Sequence, residues 1–214
     1  MPIDYKKTEK ELYQPKATPS IIDVPEIAFI AVDGKGDPNT GAEYKAALEA
    51  LYGLTYAIKM SKMSGTQPEG YFEYVVPPLE GFWNVNDGYF RGGGAAISDK
   101  SKFEWTSLIH QPDFVTEGVF EFAKASLAKK KPNLDTSNAR FVRITEGLCV
   151  QITHIGPFDN EPATVAAMDK YAVENGYAID INETRRHHEI YLSDPRKAAP
   201  EKLKTIIRHP VRRV

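Results

Sequence analysis

A chain of 214 residues can bury a substantial core, either as one domain or as two fused half-size units. With 42% hydrophobic and 26% charged residues it reads as a globular protein, and a formal net charge of -2 argues against a dedicated nucleic-acid binder. The single Cys149 excludes an internal disulfide and fits a reducing compartment. No apolar run approaches the roughly 20 residues that span a bilayer, and Met1–Lys7 lacks the apolar centre of a signal peptide, so the cytoplasm is the expected location and no membrane is expected as a partner.

Residues 1–19 are polar and contain proline, and read as an arm packed across the body. Ser20 to Val32 alternates loosely and predicts a strand, broken by Gly34-Lys35-Gly36-Asp37-Pro38. Tyr44, Ala47, Leu48, Leu51, Leu54, Thr55 and Ile58 recur at helical spacing. Gly70 to Val76 reads as a second strand and Phe103 to His110 as a third, with an inserted aromatic and Gly-rich loop over 79–102. Asp113 to about Lys131 predicts a second helix. The first half-module therefore covers 20–131 and ends at a linker over 132–138.

The second half, 139–214, starts over. Phe141 to Thr153 has strand propensity interrupted by Thr145-Glu146-Gly147, which predicts a hairpin. Gly156-Pro157-Phe158 breaks it, and a helix containing Val165, Met168 and Ala172 follows. Then come His188–Pro195 and a final strand over Leu203 to His209. The recurrence predicts an α+β fold. Two strand–helix–strand–strand modules would be related by a pseudo-twofold axis around a central ligand cleft, with Glu73 and Glu189 as equivalent carboxylates beside it.

Glu189 and Tyr191 share one face of their strand, opposite Ile190 and Leu192. A carboxylate facing an apolar cleft can bind a cation or activate water as a general base, with the Tyr191 hydroxyl orienting ligand or water. The bland alternative is a solvent-facing glutamate paired with Arg185 or Arg186. Phe82, Trp83 and Trp105 form the second constellation, since aromatic faces stack on flat ligands and attract cations. Glu73 and Tyr177 complete the ligand-binding candidates, and Phe72, Tyr74, Tyr89 and Phe90 are further choices for the cleft lining. A run of three glycines, Gly92–Gly94, would serve as the hinge of a lid. The five histidines match no zinc spacing, so no metal and no cofactor are expected, and surface or sheet-edge positions are their expected setting.

The blocks Pro19–Pro25, Gly34–Pro38, Pro78–Trp83, Phe103–Trp105 through Gln111–Phe114, and His188–Pro195 together resemble the stand-alone GyrI-like small-molecule-binding proteins. This group also includes the effector-binding domains of AraC-type and MerR-type multidrug regulators. The resemblance implies duplicated α+β modules enclosing a ligand cleft with aromatic walls and a central glutamate. One stand-alone subfamily looks like a set of hydrolases that open the strained cyclopropane of DNA-alkylating natural products inside an aromatic cage. Carried over, this makes Glu189 the acidic residue, with Tyr191, Phe82, Trp83 and Trp105 as cage candidates. Asn84 departs from the pattern, standing where many relatives have a second tryptophan. The partner implied is a small molecule, a flat aromatic compound or a lipophilic cation. Two readings stay open: a xenobiotic hydrolase, or a non-catalytic multidrug-binding protein or inhibitor of a protein partner.

Overall fold

The computed structural model describes residues 1–85 and 99–214. Two short helices, α1 (Tyr5–Thr8) and α2 (Lys10–Tyr13), lie in the arm, the first capped by the Asp4 carboxylate accepting from Lys6 N–H. The body then runs β1 (Ser20–Lys35), α3 (Ala42–Lys59), β2 (Leu79–Val85), β3 (Phe103–His110) and α4 (Glu117–Lys130). It continues with β4 (Ala139–Ile155), α5 (Glu161–Glu174), β5 (Tyr177–Ile179), β6 (His187–Tyr191) and β7 (Lys204–Arg213). All strand pairings are antiparallel, in the order β4-β1-β3-β2-β6-β7-β5. A further ladder between β4 and β7, from Cys149 opposite Pro210 to Ile155 opposite Lys204, closes the sheet into a barrel-like ring. Among the described residues, no helix is long and apolar enough to cross a membrane.

Alternation along the strands sorts side chains to the two faces of this ring. Phe29, Phe82, Leu108, Cys149, Ile190 and Ile206, one from each ring strand, cluster on the enclosed face with Tyr5 and Tyr13 of the arm. Outside, Leu51, Leu54, Trp105, Ile109 and Phe120 form a second cluster beneath α3 and α4. Val150, Ile152 and Ile207 pack against Val165 and Met168 of α5 in a third.

Several expectations change on the folded chain. Residues 70–76 form no strand: only Tyr74 makes a bridge, to Ile3 of the arm, and the ladder begins at Leu79 once Pro77 and Pro78, which lack N–H donors, have passed. Thr145-Glu146-Gly147 makes no hairpin. The chain continues through β4, with Gly147 in the left-handed region at φ 64° and Pro25 of β1, lacking an N–H, across from this stretch. The histidines are not at the surface: His110, His154, His187, His188 and His209 are all buried. The Gly92–Gly94 hinge, Tyr89 and Phe90 lie outside the described residues.

The enclosed face is not wholly apolar. His188 Nε2 lies 3.0 Å from Glu80 Oε2, and its Nδ1 lies 3.0 Å from Glu146 Oε1, which also accepts from Arg208 at 2.8 Å. Tyr13 donates to Glu80 at 3.0 Å and contacts His110 Nδ1 at 3.0 Å. Burial works against charge on Glu146, but His188 and Arg208 outweigh it and hold its pKa down at about 2. Burial likewise opposes the His188 imidazolium, and Glu146 followed by Glu80 outweighs it, pushing the pKa up to about 9. The His188 contribution is complete below its ordinary value of 6.5 and is lost as pH rises through about 9, whereas that of Glu146 is complete above 4.5 and is lost as pH falls through about 2. Urea unfolding should therefore show a stability plateau between pH 4.5 and 6.5 with a decline toward pH 9. Glu146→Gln should remove about 3–5 kcal/mol at pH 5.5 and flatten the alkaline decline, because it leaves buried positive charge without its main partner.

Candidate functional site

β6 is only five residues long, yet it is paired on both sides: Gly81 of β2 faces Glu189 across one ladder, and Ile207 of β7 faces it across the other. The period of two sends His187, Glu189 and Tyr191 outward, while His188 and Ile190 point into the ring. Over the outward face of β2 and β6, between α3 and α5, lies a cavity of about 1260 Å³. Its walls include Tyr44, Tyr52 and Tyr56 of α3, Trp83 of β2, and Phe103 and Phe158. Glu161, Glu189, His187 and Tyr191 form the polar floor over β6 and the start of α5, while charged residues such as Lys45, Glu49, Lys131, Asp194 and Arg196 also line the cavity.

The polar groups form a directed chain. Trp83 Nε1 can only donate, and it donates to the Tyr191 hydroxyl at 2.9 Å. The Tyr191 hydroxyl in turn donates to Glu189 Oε2 at 2.8 Å. His187 Nε2 stands 2.9 Å from the other oxygen, Oε1. Gly81 makes this possible: a Cβ there would lie 2.7 Å from the Trp83 indole nitrogen and 3.3 Å from the Tyr191 hydroxyl. Burial and then the Glu189 carboxylate raise the Tyr191 pKa well above the usual tyrosine range, so the hydroxyl keeps its proton.

A second carboxyl completes the site. Glu161, the first residue of α5, has its pKa raised well above the usual carboxylate range by burial and then by Glu189 beside it. Two carboxyls in one low-dielectric pocket cannot both ionise at neutral pH. Glu161 Oε1 is buried and has no hydrogen-bond partner among the described residues. The Tyr44 ring sits 6.1 Å from that of Trp83 and edge-on to Trp105 at 4.9 Å, and burial pushes its hydroxyl pKa up to about 12. Phe158 meets the Tyr191 ring edge-on at 5.8 Å.

Of the residues singled out from sequence, Glu189, Tyr191 and Trp83 come together on the cavity wall. Trp105 lies one layer below, 1% exposed, with its ring so close over Gly34 that a Cβ there would fall 2.2 Å from it. Phe82 points into the ring and packs on His188 at 4.3 Å. Glu73 is in the loop before β2, ion-paired with Lys62, and Tyr177 packs on the cluster under α5. Neither lines the cavity. Arg185 and Arg186 do not pair with Glu189: Arg185 binds Asp180, and Arg186 binds the Glu183 carbonyl and Thr106. Sequence reading missed Glu161, His187 and Tyr44. Glu161 carried a faint signal as an acidic residue after a Gly-Pro break. Among the described residues, no group of three or more His, Cys, Asp or Glu is arranged to hold a metal ion.

The family described as GyrI-like small molecule binding domain matches residues 95–212. No curated protein matches the chain. Among solved structures, an uncharacterized conserved protein from Listeria innocua is 52% identical, with a TM-score of 0.91 over 98% of this chain and 100% of that one. A hydrolase from Listeria innocua is 50% identical, with a TM-score of 0.89 over 98% of this chain and 100% of that one. The C-terminal domain of EcmrR, 14% identical with a TM-score of 0.55 over 92% of this chain and 98% of that one, is alike in fold alone.

The chain from Trp83 to Glu189 is open to direct test. Tyr191→Phe removes the acceptor of the indole N–H and one donor to the carboxylate, and should cost about 1–3 kcal/mol in urea unfolding while shifting Trp83 emission. Unchanged stability and emission would show that the chain is not formed.

Proposed function

The chain belongs to the GyrI-like small-molecule-binding domain family, and from this we propose that its cavity takes up flat, lipophilic molecules and hydrolyses a strained, electrophilic carbon on them. The observation that carries this reading is Glu189, held at both oxygens on the wall of an aromatic cavity with a second, protonated carboxyl beside it. The similarity to a hydrolase at 50% identity supports it. Xenobiotic alkylators that carry a cyclopropane fused to an electron-poor ring system are the substrate class.

Tyr44, Trp83, Phe103 and Phe158 stack the ring system and exclude water. A water beside Glu189 gives up a proton to the carboxylate as its oxygen bonds to the ring methylene. The strained C–C bond breaks, its electron pair moves into the conjugated ring system, and the resulting oxygen anion takes a proton from solvent on release. Glu161, protonated and hydrogen-bonded to Glu189, keeps the two carboxyls at a single negative charge. Ring strain already lowers the barrier, so positioning and one base suffice. Phe82 and Trp105 back the wall from inside the ring and from the layer beneath, where they hold the lining in place and do not touch ligand.

The organisation we infer is an arm over 1–19, a first half over 20–131 and a second over 139–214, related by a pseudo-twofold axis through the cavity. In support, each half supplies three ring strands and one helix of the cleft, and the halves meet at the β1–β4 and β2–β6 ladders. The partner is a small molecule. A net charge of -2 offers little to nucleic acid.

Incubation with a cyclopropane-bearing alkylator should give ring-opened product, and Glu189→Gln should slow it by about 10²–10⁴-fold while a neutral ligand still quenches Trp83. Equal rates for both proteins at the solvent background would refute hydrolysis. Saturable quenching by lipophilic cations, lost in Glu189→Gln and yielding no product, would establish a sequestering protein in which Glu189 is only a counter-charge.

A further inference from the structure

Opening a cyclopropane takes a base and no acid, yet the cavity wall holds an acid as well. Glu161, the first residue of α5, is hydrogen-bonded to Glu189 of β6, and both carboxyls line the cavity. Two carboxylates would repel one another there, so the bond between them holds one proton and the pair carries a single negative charge. Burial and then Glu189 raise the Glu161 pKa, which keeps that proton in place at neutral pH. Glu189 is held on its other contacts by His187 at Oε1 and the Tyr191 hydroxyl at Oε2. His154, 4% exposed, sets how α5 approaches β6. Its Nε2 donates to the Pro157 carbonyl at 3.1 Å, and its Nδ1 lies 2.8 Å from Thr164 Oγ1, which anchors the turn that carries Phe158 and Glu161.

In the cyclopropane reaction the electron pair runs into the conjugated rings, and charge appears on an oxygen remote from the carbon attacked. Glu189 keeps the proton of the water, the product lacks one, and solvent must correct both. An oxirane sets a different demand. Its leaving atom is an oxygen on the attacked carbon itself, and that oxygen leaves poorly unless it is protonated. It also departs on the side opposite the entering water. The two oxygens therefore flank one carbon, and an oxirane lying against this wall presents one of them to each carboxyl.

We propose that the cavity also hydrates flat, lipophilic epoxides to vicinal diols, with Glu189 as the base and Glu161 as the acid that protonates the departing oxygen. The assignment rests on the reading of Glu189 as a base and extends it to a second substrate class. Water beside the pair donates to Glu189, and the Glu161 O–H turns to the oxirane oxygen. The water O–H bond breaks toward Glu189 as its oxygen bonds to carbon. The ring C–O bond breaks, and the freed oxygen takes the Glu161 proton. One water is consumed, and nothing is oxidised or reduced. The pair then has its proton on Glu189, and transfer across the restored hydrogen bond returns it to Glu161, so the site resets without exchanging a proton with solvent. Two carboxyls sharing one proton divide acid and base work in the same way in aspartic proteases. Tyr44, Trp83, Phe103 and Phe158 hold the rings that carry the oxirane. The titratable groups facing the pair are Asp159 beside Glu161, and Tyr44, His187, Tyr191 and His209 around Glu189.

The probe is trans-stilbene oxide, in which two flat rings flank an oxirane. Wild-type protein should convert it to the meso diol, the product of inversion at one carbon, about 10²-fold or more above the solvent background. In a single turnover in isotopically labelled water the diol itself should carry the label, because water and not a carboxylate attacks carbon. Glu161→Gln should slow diol formation about 10²-fold or more, and by a factor about tenfold larger than its effect on cyclopropane opening. The two reactions should also part with pH in the wild type. Diol formation should fall as pH rises and Glu161 ionises, whereas cyclopropane opening, which needs the base alone, should not. Asp159, Tyr44, His187, Tyr191 and His209 face the pair in both reactions and cancel in the ratio of the two rates. No diol from the wild type, unlabelled diol, equal losses for the two substrates in Glu161→Gln, or parallel pH profiles would each overturn the proposal. Labelled diol with the cyclopropane left closed would refute cyclopropane hydrolysis and uphold epoxide hydration.

Discussion

The whole site depends on the register of one five-residue strand. β6 is held between β2 and β7 inside a sheet that closes on itself, so it has neither a free edge nor room to slide. A shift by one residue would exchange its faces. Glu189 would then be trapped in the ring, and His188 would leave Glu80 and Glu146. Ring closure through β4 and β7 is what makes such a slip costly, because both ladders would have to break together.

The two faces of that strand solve opposite electrostatic problems within one sheet thickness. Inside the ring, charge is kept and matched: Glu80 and Glu146 surround His188, and Arg208 adds a second cation with Gln151 to satisfy its remaining donors. Such a cluster fixes the packing more than it strengthens it, since a well-packed apolar core could be equally stable. Outside, charge is kept scarce. Glu161 is protonated beside Glu189, and His187 and His209 are buried next to one another. The inner face matches its charges in ion pairs, and the outer face joins its polar groups by hydrogen bonds. Gly81 is where the two demands meet, since its missing side chain lets the indole of Trp83 lie over Tyr191.

Local patterning carried the sequence reading a long way. Alternation was enough to pair Glu189 with Tyr191, and the block order from Pro19 to Pro195 pointed to the family that the comparisons return. What failed was anything set by register or by nonlocal partners. Phe72–Val76 has strong strand propensity, but its neighbour is the arm rather than a ladder, so Glu73 drops out of the site and Gly81 takes the place opposite Glu189. Phe82 and Trp83 look equivalent in the chain, yet the pleat sends one into the ring and the other to the cavity. His187 and His209 are 22 positions apart and meet only through the β6–β7 ladder. Glu161 is an acidic residue in the first turn of a helix, a common placement, and only burial beside another carboxyl distinguishes it.

The arm ties the earliest part of the chain to the latest. Arg208 donates to the Leu12 carbonyl across 196 positions, and Gln151, which holds the same guanidinium, donates to the Glu11 carbonyl. During synthesis the arm emerges long before β7 exists, and at about 5–20 residues per second it waits roughly 10–40 s for its seat. Throughout that interval the ionic interior is wet and the ladder partners of β4 are incomplete. Nascent chains should therefore be sensitive to proteolysis until the last strand docks, with long-range closure as the slow step of folding.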